Sequence, residues 1–67
     1  PMKIFQFAVL LHPTSKEREE GKSSELIVPV TTVVAPDQNG ATLQAGRAIP
    51  ANYLDKLDRL EVAVRPF

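Results

Sequence analysis

The stretch Lys3-Ile4-Phe5-Gln6-Phe7-Ala8-Val9-Leu10-Leu11-His12 decides the fold, because read as a strand it is apolar on both sides. Phe5, Phe7, Val9 and Leu11 fall on one face of a period-two ribbon, and Ile4, Ala8 and Leu10 fall on the other. A strand of that kind sits inside a sheet with material covering each face. The rest of the chain supplies one helix of useful length, so one face is covered from within and the other asks for a partner.

Working outward, Pro13 ends this strand, since proline brings no ladder donor and restricts the residue before it. Residues 14–25 form a polar stretch without a large apolar side chain. Thr14 and Glu17 have capping-box spacing and Gly21 can stop a short helix, but one and a half turns are marginal without packing. Composition therefore predicts a long, mobile hairpin tip. A second strand, Leu26 to Ala35, is rich in β-branched residues. Strict alternation puts Leu26, Val28, Val30, Thr32 and Val34 on one face and Ile27, Thr31 and Val33 on the other. Pro29 places this strand at a sheet edge or at a bulge.

Pro36 to Gly40 is turn chemistry, with Asp37 as an N-cap. The helix expected from Gln38 to Ile49 carries Ala41, Ala45, Ala48 and Ile49 on one stripe. A face of alanine lets a helix lie close to a sheet, so the bulk of the core must come from the strands. Gly40 and Gly46 each cost about 1 kcal/mol against alanine inside a helix, and Gly46 is the position expected to permit a close contact. Pro50 opens a second short helical segment, Ala51 to Leu57, bearing Tyr53, Leu54 and Leu57. The last strand, Leu60 to Pro66, alternates cleanly: Leu60, Val62 and Val64 point inward, with Arg59, Glu61, Ala63, Arg65 and Phe67 on the opposite side.

The order is β-β-α-β. It predicts one small α+β domain over residues 1–67, a three-stranded, mainly antiparallel sheet in spatial order 2-1-3 packed on one interrupted helix. Pro29 and Pro66 then both lie on edge strands, where they are tolerated. Pro1 ahead of Met2 reads as an expression-tag remnant.

Composition narrows the function classes. A chain of 67 residues buries only about 60% of the surface its unfolded form exposes, and small folds recover stability from disulfides, a metal or oligomerisation. With no cysteine and one histidine, disulfides are excluded and no metal site is expected. Eight basic and eight acidic side chains balance to zero, so the basic excess of a nucleic-acid binder is missing. Apolar runs are too short for a membrane-spanning helix. The expected compartment is the cytoplasm, and self-association is the route to stability that remains.

Candidate chemistry is sparse. An N-terminal proline is the general base of small tautomerases of about this length, but those follow their first strand with a long amphipathic helix, which this sequence does not offer. His12 would need an orienting carboxylate, for which Glu17 and Glu25 are the nearest candidates, and a nucleophile. Asp55, Asp58 and Glu61 lack the glycine and spacing of a calcium loop. Phe5 and Phe7 fall on the face expected to be core rather than on an RNA-stacking platform. Arg47, Arg59 and Arg65, gathered between subunits, form the one candidate ligand site, a clamp for a nucleotide or carboxylate. The plainer alternative pairs Arg59 and Arg65 with Glu61 or with acids across the sheet.

No catalytic residue or cofactor is expected. The leading expectation is a non-enzymatic, homo-oligomeric interaction or accessory protein, a description that also fits several small phage-encoded proteins of this size and outline. Its main partner is itself, with another protein as a further candidate. Its association surface is expected to hold Ile4, Ala8, Leu10, Ile27, Val33, Ala63 and Phe67. The alternative is an anion binder using the three arginines.

Overall fold

Phe5, Phe7 and Val9 are all buried along β1 (Lys3–Leu11), the central strand of this computed structural model, which describes residues 1–67. β2 (Glu25–Ala35) and β3 (Leu60–Pro66) flank it, both antiparallel, in the order β2-β1-β3. The expected α+β arrangement and strand order are therefore what the chain adopts. The proline-free strand takes the centre because it can use both rows of its backbone hydrogen bonds, with the Phe5, Phe7 and Val9 face buried. No helix is long and apolar enough to cross a membrane.

Residues 14–25 do join the two strands of the hairpin, and they carry a turn of helix, α1 (Ser15–Glu19). Both halves of the capping box are made: the Glu17 N–H donates to Thr14 Oγ1 at 3.1 Å, and the Thr14 N–H donates to Glu17 Oε1 at 3.0 Å. Gly21, at φ +88°, ends the turn in the left-handed region that favours glycine. Tertiary anchoring supplies what a five-residue helix lacks alone. Arg59, 42 residues away, donates to the same Glu17 oxygen at 3.1 Å.

β2 departs from strict alternation. Its register with β1 runs Phe5 with Val33 and Phe7 with Thr31, then slips twice, so that Val9 meets Val28 and Leu10 meets Leu26. The first slip contains Pro29, whose missing N–H would interrupt a regular ladder, and the second falls at Ile27. Thr31 Oγ1 donates to the Pro29 carbonyl at 2.8 Å. Thr31, Val33 and Ala35 consequently share the helix side with Val28. Leu26, Val30, Thr32 and Val34 face the other way. This corrects the assignment of Ile27 and Val33 to an association surface, because both pack against the core.

α2 (Gln38–Ala48) begins at Asp37, whose Oδ1 accepts from the Gly40 N–H at 2.8 Å. Ala41 and Ala45 are buried and Ile49 packs on the core, whereas Ala48 is exposed. The close approach falls at Gly40 rather than Gly46. A Cβ on Gly40 would meet Ala35 Cβ and Pro36 Cδ, each at 3.3 Å, while one on Gly46 would meet nothing within 4 Å. Half-buried Gln44 donates from Nε2 to the Val34 carbonyl at 2.9 Å and ties the helix to β2.

Residues Ala51–Arg59 form a 3₁₀ segment kinked at Lys56, two residues longer than the helical segment Ala51 to Leu57 expected there. With three residues per turn, Tyr53, Lys56 and Arg59 line its inner side, and Leu54 and Leu57 stack on the solvent side. The Tyr53 hydroxyl donates to Glu25 Oε2 at 3.2 Å, and Lys56 Nζ lies 5.7 Å from the Tyr53 ring centroid.

Only Phe5, Phe7, Val9, Val28, Ala35, Ala41 and Ala45 are buried. The radius of gyration is 13.3 Å, against roughly 11 Å for a compact chain of this length. This is a thin, elongated layer, 46 × 21 × 15 Å.

The two neighbouring small residues of α2 should respond oppositely. Ala45→Leu overpacks the helix–sheet contact and should lower stability by about 1–3 kcal/mol. Gly46→Ala, with open space around its Cβ, should raise it by about 1 kcal/mol. Urea unfolding of the two variants checks both signs.

Candidate functional site

Two regions stand out: the sheet face that α2 leaves open, and a polar cluster at the C-terminal end of β1.

The open face carries Ile4, Gln6, Ala8 and Leu10 from β1, Leu26, Val30, Thr32 and Val34 from β2, and Glu61, Ala63, Arg65 and Phe67 from the β3 side. Of the expected association residues, Ile4, Ala8, Leu10, Ala63 and Phe67 share this face. Leu26, Val30 and Val34 replace Ile27 and Val33 on it. Ala8 sits directly opposite Ala63, and this pair of short side chains leaves a depression of about 250 Å³ whose rim includes Gln6, Val30 and Arg65.

At the strand end, His12 is held on both ring nitrogens. Nδ1 lies 2.7 Å from Ser24 Oγ and Nε2 lies 2.6 Å from Glu61 Oε1. Each ring nitrogen donates or accepts according to the tautomer, with the Ser24 hydroxyl and the Glu61 carboxyl group as the two partners. The orienting carboxylate is thus neither Glu17 nor Glu25. Glu61 could have been found from the sequence by registering β1 against β3, which sets it opposite Leu10. Ser24 carried no such signal, because its position depends on the path of the tip. The three groups stand in the order of a nucleophile–base–carboxylate relay, and both hydrogen bonds are solvent-exposed. Through these two bonds His12 joins the tip, the end of β1 and the start of β3.

Glu17 is the hub of an adjoining network. Arg59 Nη1 donates both to Glu17 Oε1 and to the His12 carbonyl, each at 3.1 Å, and Lys22 Nζ stands 4.0 Å from Glu17 Oε2. The Thr14 backbone N–H, aided by Arg59 and Lys22 and partly opposed by desolvation, holds the Glu17 carboxyl below its ordinary pKa of 4.5.

Within one chain the three candidate arginines stay apart. Arg59 is half-buried in the Glu17 network. Arg65 lies roughly 20 Å farther along β3, where its Nε and Nη2 donate to Gln6 Oε1 at 3.1 and 2.9 Å. Arg47 is exposed on α2, across the sheet. The expected pairing of arginines with Glu61 is replaced by Glu17 for Arg59, Gln6 for Arg65 and His12 for Glu61. The acidic trio also disperses: Asp55 pairs with Lys56 at 3.6 Å and Glu61 with His12. Pro1 is exposed ahead of β1.

Comparison with protein-family models, with curated proteins and with solved structures finds no match to this chain.

Because folding lowers the Glu17 pKa, its contribution is present above the unfolded value and is lost as pH falls through the lowered folded value. Acidification from about 4.5 downward should therefore release the tip. In Glu17→Gln that acid-dependent loss should vanish. Hydrogen exchange at the Lys22 amide, which donates to the Glu17 carbonyl, measures both.

Proposed function

We propose that this chain is a non-enzymatic interaction protein that works as a homo-oligomer, associating through the open face of its sheet. The observation that supports this reading is the exposure of Ile4, Leu26, Val30, Val34 and Phe67, which retain 49–76% of their surface on a single face. Isolated exposed leucines and valines are ordinary, whereas a contiguous set opposite a thin core is not.

A second copy is the occupant that suits the face. Three strands about 4.8 Å apart and mostly about 30 Å long present a footprint of roughly 400 Å², about half the roughly 800 Å² per partner of a standard interface, to which the relief of the protruding side chains adds. Sheets packed face to face lie about 10 Å apart with their side chains interdigitated. The hollow over Ala8 and Ala63 gives such a copy somewhere to place a branched side chain. Fully covering the large apolar groups is worth on the order of 10 kcal/mol per chain as an upper figure. Association and ordering subtract several kcal/mol. The remainder matters to a domain with seven buried residues.

Ile4→Lys and Val30→Lys, both at exposed positions, should abolish association through the face and lower the assembly's mass while leaving the chain folded. Leu43→Lys, on the solvent side of α2 at 72% exposure, should leave it intact. Sedimentation velocity with circular dichroism separates dissociation from unfolding. A wild-type chain that stays monomeric at high concentration would refute the reading.

A further inference from the structure

We infer that β3 is a second self-association element, an edge strand built to pair antiparallel with β3 of another copy in a register centred on Ala63. The homo-oligomer reading enters only in the choice of a second copy as partner. The evidence comes from the backbone of β3 and from its charges.

The His12 N–H donates to the Arg59 carbonyl at 2.8 Å, and the Phe67 N–H donates to the Ile4 carbonyl at 3.0 Å. With the unbroken register between β1 and β3, these bonds fix the direction of every other residue. The odd-numbered residues 59–67 bond to β1, and Leu60, Val62, Val64 and Pro66 turn their backbone groups outward. The Leu60 N–H is used by the Leu57 carbonyl, and Pro66 has no N–H. The N–H and C=O of Val62 and Val64 remain on an unpaired edge.

The two edges of the sheet differ. β2 is blunted by Pro29 and its two register slips, the devices by which proteins protect edges. β3 is regular and has no such protection before Pro66.

A two-fold axis at Ala63, normal to the sheet, makes the free groups meet. Val62 of one copy and Val64 of the other exchange both backbone hydrogen bonds, and the symmetry repeats the exchange. The same register sets Glu61 of each copy directly opposite Arg65 of the other, and cross-strand pairs of opposite charge are favourable while like charges are not. A shift of two residues in either direction breaks this match. Val62 and Val64 of the two copies then continue one core under two helices, and the open faces merge into one broader face.

Ala63 meets Ala63 of the second copy at a non-hydrogen-bonded site, where Cα atoms lie about 4.5 Å apart, within disulfide range. The native chain has no cysteine, so Ala63→Cys should form a disulfide-linked dimer under mild oxidation, several-fold above Asn52→Cys in the exposed 3₁₀ segment. Face-to-face stacking at about 10 Å does not bring these positions within reach, so the cross-link reports the edge and leaves the face reading to its own test. Arg65→Glu and Glu61→Lys should each weaken the edge pairing alone. Mixing the two variants should restore it, because both facing pairs are then of opposite charge. Cross-linking of Ala63→Cys no greater than that of Asn52→Cys, or absence of rescue on mixing, would overturn the inference.

Discussion

One helix with a face of alanine has to cover a sheet that is apolar on both sides. That mismatch governs the rest of the molecule. Small residues at Ala41, Ala45 and Gly40 let α2 settle onto Phe5, Phe7 and Val9, so the bulk of the core is supplied by the strands. The result is a two-layer domain whose second sheet face is left to solvent.

Much of this was readable in the sequence because it depends on local rules. Period-two alternation defined β1 and β3, Asp37 marked the start of α2, and proline placement identified the edge strands. Whatever depended on contacts distant in sequence was not readable. β2 was read as regular and in the opposite phase: the pairing of Phe5 with Val33 sets Ile27 and Val33 on the core side, and the two register slips near Pro29 bring Val28 to that side as well. The helical turn at Ser15–Glu19 had its capping signal in the sequence, but its anchor, Arg59, arrives from the far end of the chain.

The polar groups are arranged for the same purpose. His12 joins Ser24 to Glu61, Glu17 joins Thr14 to Arg59, and Tyr53 reaches Glu25. All of these lie toward the tip of the hairpin, where the alanine face of α2 does not reach. Side-chain hydrogen bonds there take the place of the apolar contacts available nearer the helix. Individually such exposed bonds are weak, but together they connect α1, both hairpin strands, the 3₁₀ segment and β3. Two of the three arginines that suggested a ligand clamp are already occupied, one by Glu17 in this network and the other by Gln6.

The blunted edge beside Pro29 has a consequence for how far any assembly can grow. A sheet with two permissive edges can recruit strands without limit and lengthen into a fibre. With one side irregular, strand addition on the other side closes after a single symmetric step. In an assembly of the proposed kind, Pro29 would act as a chain terminator and keep so apolar a ribbon finite.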